Sequence, residues 1–388
     1  MKYRKKYIGE IARWLKVDQT KVELYWKGRI GLYAILKAFQ LKKGDEVILP
    51  AFTCVVVPNA IFYCGATPKY VDISTATLNT SLAQIKEKIT SNTKVIIIQN
   101  TFGLSNEVKR IVDFARKNDI LTIEDCTHGF GGTYDKEPNG SYCDAAFYST
   151  QWNKPFSTGI GGFAIMNNQS YLQVFKLVNR ELETPSKKDR YILGSLIQVK
   201  KYLLYDSTYW AALKLYRKLS KSGVVVGSSK GEELVGTKKP DNYFLRSVKV
   251  QEKVGYNALQ YLSNILETRK NTGVIYNEFF RSRKLWNYQD EDLINHSFLN
   301  YPVFVRDKDV FKKKAEKAKI RLGDWFLSPI HPVMDDFHIW KINPKEYPNA
   351  SRVSNHILNL PTDIDEDRLK RIISFLNSNE DELHRFQS

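Results

Sequence analysis

The chain has 388 residues, 43% hydrophobic and 26% charged, a globular balance that excludes a disordered polymer. Lys+Arg 59 against Asp+Glu 42 leaves +17, which suits an anionic partner or, as the bland alternative, a solvated basic surface. No run approaches the roughly 18–20 apolar residues that cross a bilayer, and the opening MKYRKKYIGEIARW lacks the apolar core of a signal peptide. Four cysteines, Cys54, Cys64, Cys126 and Cys143, form no CxxC pair, which suits reduced thiols in a cytosolic chain.

From residue 24 to 166, short apolar runs alternate with helix-period segments. EVILP (46–50), KYVDI (69–73), VIIIQ (95–99), LTIED (121–125), AAFYS (145–149) and GFAIM (162–166) read as buried strands. IGLYAILKAF, VVPNAIFYC, SLAQIKEKI and EVKRIVDFARKN read as the helices between them. Such alternation predicts an α/β fold with a large, mostly parallel sheet covered on both faces. Ligands of these sheets bind beyond the carboxyl ends of the strands, so post-strand residues are the first candidates for chemistry.

The pattern then changes. Residues 185–221 are rich in Tyr, Leu and Lys and predict two amphipathic helices hinged near Asp206–Ser207. SGVVVGSSKG predicts a loop, and VKVQEKVGYNALQYLSNILETRKNTGVIYNEFF a long helix. LNYPVFV and KIRLGDWF predict strands around the helix FKKKAEKAK, and DEDRLKRIISFLNS a closing helix, together a small second lobe.

Three stretches carry chemistry. IEDCTHGFGG places Asp125 and His128 directly after a strand. FYSTQWNKPFSTGIGG places Ser149 and Lys154 in a post-strand loop that ends in glycines. KGRIGLYAILKAF starts a helix at Gly28 and Arg29, where free N–H groups and the helix dipole suit a phosphate. Singly each has a bland reading: a helix cap, a solvated lysine, a turn glycine. HPVMDDFH (331–338) carries metal-ligand residue types at a spacing that fits no standard site, and neither GxGxxG nor a P-loop occurs.

In order, these pieces resemble the DegT/DnrJ/StrS family of pyridoxal-phosphate-dependent sugar aminotransferases. GDEVILPAFT, NAIFYCGATPKYVDI, TKVIIIQNTFG, IEDCTHGFGGTY, FYSTQWNK and GIGGF follow the family's order and spacing. The likeness is strong from Gly28 to Met166, weaker around Arg246–Leu262 and in LNLPTDIDEDRLKRII, and absent across 170–240. It implies pyridoxal 5'-phosphate as cofactor, with Lys154 as the Schiff-base lysine, Asp125 as partner of the ring nitrogen and His128 beside the ring. It implies Ser149, Gly28 and Arg29 at the phosphate. Arg246 is matched to a residue reaching that phosphate from the neighbouring subunit, and His331 to a loop near the sugar. Two positions depart from the pattern: Lys27-Gly28-Arg29 replaces the usual Ser-Gly-Thr, and Cys54 stands where an aromatic residue is frequent.

The resemblance further implies the aspartate-aminotransferase type of fold (fold type I). It divides the chain into a large cofactor-binding domain at 1–250, holding an inserted basic and aromatic segment at about 170–239, and a small C-terminal α/β domain at 251–388. The implied enzyme is a cytoplasmic homodimer that transfers an amino group from glutamate to a nucleotide-linked keto sugar in surface-glycan biosynthesis. Family members that act as dehydratases carry histidine in place of the lysine, so Lys154 favours transamination. The alternative class is a non-catalytic or regulatory protein of this fold that binds an anionic partner through its basic surface; no nucleic-acid-binding signature accompanies it. The segment 186–221, with Tyr191, Leu196 and Trp210 among Lys187, Lys188 and Lys201, suits peripheral contact with an anionic membrane or, equally, a wall of the pocket.

Overall fold

The computed structural model describes residues 2–203, 208, 211, 212, 214–216 and 231–386. The strands are β1 Val22–Tyr25, β2 Glu46–Pro50, β3 Thr53–Cys54, β4 Thr67–Val71, β5 Thr93–Gln99 and β6 Leu121–Asp125. They continue with β7 Thr133–Tyr134, β8 Glu137–Pro138, β9 Ala145–Ser149, β10 Gly162–Met166, β11 Asn300–Phe304, β12 Ile330–His331 and β13 Ile357–Pro361. Seven of them build one sheet in the order β1-β10-β9-β6-β5-β2-β4. Its strands from β9 to β4 run parallel, while β10 is antiparallel to both β1 and β9.

The continuous apolar runs follow from cover on both faces. In β5, Val95 and Ile97 enter one core, while Ile96 and Ile98 enter another with Ile111, Val112 and Ala115 of the helix Val108–Lys117. The helix Gly28–Ala38 buries every residue except Lys37, because it lies between the sheet and the helices Val56–Tyr63 and Gln169–Arg180. Gly28 permits this closeness: a Cβ there would sit 2.8 Å from the Tyr148 carbonyl oxygen and 2.9 Å from Ser149 Cα.

In the C-terminal part, β11 pairs antiparallel with β13, flanked by the helices Lys308–Lys317 and Glu366–Ser378. The main apolar core runs on into it through Tyr301, Val303, Leu358, Leu360 and Leu376. A second seam joins the two parts: β3 pairs with β12, which sets His331 opposite Cys54.

Two expectations differ from the structure, and some elements had none. KIRLGDWF is not a strand; its backbone pairs with β13 at the Gly323–Asn359 bridge, and the partner of β11 is β13. The reason is that the Asn359 side chain, not a strand, satisfies the Trp325 backbone: it accepts from the N–H at 2.9 Å and donates to the carbonyl at 3.0 Å. The long helical pattern is broken at Tyr261 into Lys249–Leu259 and Leu262–Ser282. Among the elements without one is β1, whose four residues become a strand by pairing with β10. Another is the N-terminal helix Lys2–Leu15, whose Tyr7, Ile11 and Leu15, four apart, form a buried stripe.

In the inserted segment, Lys187–Leu203 is a helix, and the described residues 211, 212 and 214–216 are helical. The expected hinge at Asp206–Ser207 and most of the SGVVVGSSKG loop lie outside the described residues.

Candidate active site

The parallel register places β6 beside β9, with Asp125 opposite Phe147, so Asp125 and Ser149 both end strands at the carboxyl edge of the sheet. One cavity at that edge is lined by Lys27, Gly28, Arg29, Cys54, Asp125, Thr127, Phe147, Ser149, Gln151, Lys154 and Trp325, among others. Six residues predicted from sequence thus share it: Gly28, Arg29, Cys54, Asp125, Ser149 and Lys154. A second cavity, of about 570 Å³, opens at the opposite edge and is lined by Asp45, Lys94, Leu121 and Asp144. It contains none of the predicted residues, and Asp144 is spent there on the Thr122 N–H and hydroxyl.

Lys154 sits in a loop held at its base and its middle. Thr158 N–H donates to the Thr150 carbonyl at 2.8 Å, their hydroxyls meet at 2.7 Å, and Arg269 donates to the Pro155 carbonyl at 2.9 Å. The lysine is buried, and burial pushes its amine down to about 8; Asp125 and Cys54 oppose this, and Arg29 adds to it. Its Nζ lies 4.3 Å from the centroid of the Trp325 ring. Burial pushes the Asp125 carboxyl up, against the Thr127 N–H that it accepts at 3.0 Å and against Lys154.

The phosphate-type cradle is the start of Gly28–Ala38. Lys27 at the N-cap supplies no side-chain cap, so the first-turn N–H groups face the cavity end without one. Arg29 does not stand as a lone cation there. Its Nη1 donates to Glu233 Oε1 at 2.7 Å, and both side chains are buried. Glu233 lies in the short helix Gly231–Val235, and nothing in KGEELVG marks it as partner of a residue 204 positions away.

Three predicted residues do not line the cavity. His128 lies one layer behind: its Nδ1 accepts from the Phe102 N–H at 3.2 Å, and its ring meets Trp325 edge-on at 5.3 Å. Burial, then Lys154 and His331, hold it well below the usual histidine range, so the ring is neutral. His331 lies against Trp325 with ring centroids 4.8 Å apart and planes tilted by 32°, and its Nδ1 accepts from the Leu327 N–H at 3.2 Å. Arg246 turns away within its own chain, donating from Nε (3.2 Å) and Nη2 to the Leu182 carbonyl. The indole that both histidines touch, Trp325, was missed because nothing in KIRLGDWF marks it beyond being aromatic. Among the described residues no group of three potential metal ligands occurs.

This combination of a buried amine, a buried carboxylate and a glycine-started helix sits on a fold of the aspartate-aminotransferase type. An aminotransferase from Psychrobacter cryohalolentis matches it with a TM-score of 0.73, over 97% of this chain and 91% of that one, at 18% identity. The E coli GDP-4-keto-6-deoxy-D-mannose-3-dehydratase, solved with bound hydrated PLP, also gives 0.73, over 96% and 91%, at 17% identity. At such identities the likeness speaks for the fold alone.

The chain belongs to the DegT/DnrJ/EryC1/StrS aminotransferase family, whose sequence profile matches residues 27–193 and 213–377; the likeness expected to be absent across 170–240 is therefore interrupted only between 193 and 213. The GDP-perosamine synthase of Escherichia coli O157:H7 is 36% identical over 143 residues, which is 37% of this chain and 39% of that protein. The chain spans less than half the length of the curated GDP-perosamine synthases it matches, 39–45% of each.

Proposed function

We propose that the chain is a pyridoxal-phosphate-dependent aminotransferase acting on a keto sugar carried by a nucleotide. The observation that carries this reading is Lys154: a buried amine with its pKa at about 8, held at the sheet edge in one cavity with Asp125 and the Gly28 helix start. The cavity's chemistry fits the cofactor. A Cβ at Gly28 would strike β9, so glycine lets the helix start close beside Ser149; its N–H groups and Ser149 suit a phosphate, and a lysine and a carboxylate line the same cavity. Bound there, the cofactor supplies an electron sink for the carbon next to the transferred nitrogen.

The chain's own residues do the rest. Lys154 Nζ holds the cofactor and moves a proton, as its lowered pKa allows near neutral pH. The Asp125 carboxylate holds a proton on the cofactor's ring nitrogen. His128, neutral and fixed by Phe102 N–H, steadies Trp325 and the lysine side of the cavity. The dehydratase fold match leaves two chemistries open; lysine rather than histidine at 154 favours transamination.

The amino donor in this reading is glutamate, and the working form is a cytoplasmic homodimer; to serve the phosphate across the interface, Arg246 would have to exchange its bonds to the Leu182 carbonyl of its own chain for it. The domain boundary falls near residue 250. Contact with an anionic membrane through the inserted helix is supported by its division of labour. Leu193 is fully buried and packs with Ile197 toward Gly159 of the lysine loop, while Tyr191 (79% exposed) and Tyr202 (57%) face outward among exposed Lys187, Lys188 and Lys201. No helix of the described residues is long and apolar enough to cross a membrane.

The decisive experiment is optical. The purified protein should be yellow, with a visible band that borohydride abolishes and that never forms in Lys154→Ala. A panel of nucleotide-linked keto sugars with glutamate then identifies the acceptor. A colourless protein that takes up no added cofactor defeats the reading. Vesicle co-sedimentation at low and high salt, with and without residues 186–221, tests the membrane contact.

A further inference from the structure

Of the two aromatic side chains lining the site cavity among the described residues, Phe147 belongs to the sheet core and Trp325 does not. Trp325 is half-buried and lays its indole 4.3 Å from the one nitrogen to which a cofactor aldehyde can bond. It is also held unusually firmly for a residue in irregular backbone. Asn359, fully buried in β13, binds both its N–H and its carbonyl, and Gly323, two residues earlier, exchanges backbone hydrogen bonds with Asn359 at 2.8 and 3.0 Å. The ring of His331 lies tilted against it at 4.8 Å, and that of His128 meets it edge-on at 5.3 Å. Trp325 is therefore a fixed plate and not a mobile lid.

The same cavity is also lined by a small side chain. Cys54 ends β3, directly opposite His331 in the β3–β12 seam, and lines the cavity with only a thiol. A flat heteroaromatic ring joined to Lys154 Nζ through one carbon begins within van der Waals reach of the indole. Offset or edge contacts between aromatic rings contribute beyond simple burial.

We propose that Trp325 is the aromatic wall of the cofactor pocket, its indole packing against the bound ring and filling the role that the small Cys54 leaves vacant. The inference rests on the cofactor reading above and extends it to a residue from the C-terminal part of the chain. Because β13 carries Asn359, that part of the chain, and not the main sheet alone, sets how tightly the cofactor is held.

The test uses the full chain, stripped of cofactor and titrated with pyridoxal 5'-phosphate, reading the visible band and the quenching of indole emission. Trp325→Leu is expected to weaken binding about tenfold, while Trp325→Phe stays within about threefold of wild type. Cys54→Phe added to Trp325→Leu is expected to recover most of the loss, because it returns an aromatic ring to the same cavity. Thermal unfolding of the stripped proteins is followed in parallel; a purely structural role would lower their midpoints and leave nothing for Cys54→Phe to restore. An unchanged dissociation constant in Trp325→Leu, or a loss that Cys54→Phe leaves in place, overturns the inference while the enzyme reading stands. A wild-type chain that binds no cofactor overturns both.

Discussion

Arg29 and Glu233 form a buried ion pair, 2.7 Å from Nη1 to Oε1, that ties the start of the Gly28 helix to the short helix Gly231–Val235. The pair is itself anchored. Asn59 donates to the Glu233 carbonyl at 2.8 Å, and Trp340 of the C-terminal part donates to Asn59 Oδ1 at 2.7 Å. The Arg29 charge is thus balanced inside the fold by a carboxylate 204 residues away.

Breaking such a pair leaves an uncompensated buried charge. Glu233→Ala is expected to cost about 3–5 kcal/mol, read as a fall in urea midpoint, whereas Arg29→Met with Glu233→Leu should cost far less. Inorganic phosphate should restore more stability to Glu233→Ala than to wild type, because it supplies the missing anion. Equal losses in the single and double variants would show that packing, not charge, dominates.

Lys154 makes the cofactor-free protein's stability depend on pH. Its amine is at about 8 when folded, against the ordinary 10.5, so between those values the unfolded chain binds more protons and stability rises with pH. Below pH 8 the buried ammonium costs a constant amount, about 3 kcal/mol. Lys154→Met should therefore raise the urea midpoint of the cofactor-free protein at pH 7, with the gain shrinking toward pH 10. A pH-independent gain would place the lysine's pKa near its ordinary value.

Asp125→Asn keeps the shape of the site and removes the charge that holds a proton on the cofactor's ring nitrogen. Loss of one charged hydrogen bond, about 2 kcal/mol, predicts at least a roughly 30-fold fall in kcat with the visible band retained. Single-turnover absorbance with glutamate separates this from weakened cofactor binding.

Gly28→Ala places a methyl 2.8 Å from the Tyr148 carbonyl oxygen and against Ser149. The helix must retreat from β9, which should cost about 1–3 kcal/mol of stability and weaken the cradle for the phosphate. Gly44→Ala, whose Cβ meets nothing within 4 Å though its φ is +100°, is the control for backbone strain alone. A smaller effect at Gly28 than at Gly44 would count against the close approach of helix and strand.

The strands β2, β5, β6, β9 and β10 were legible because burial on both faces writes an unbroken apolar run into the sequence. Residues at or beyond their carboxyl ends, Asp125, Ser149 and Lys154, stand out as candidates from the sequence, since parallel sheets place ligands at that edge. The strand β1 is too short for its period to show, and β13 hides in a stretch that also carries turn residues. Neither is identified by its own pattern; each is a strand because a neighbour pairs with it.

The sequence by itself determined which local groups are present: a lysine, a carboxylate and a glycine helix start at the ends of buried strands, in an order specific to one family. Local chemistry and spacing are properties of the chain's covalent order, so they can be read along it. Tertiary structure decided the rest. Glu233 meets Arg29 across 204 residues, Trp325 meets Lys154 across 171, and Arg246 turns to Leu182 inside its own chain. Those meetings depend on how distant segments pack and on which buried charge needs a partner, and no spacing along the chain encodes them.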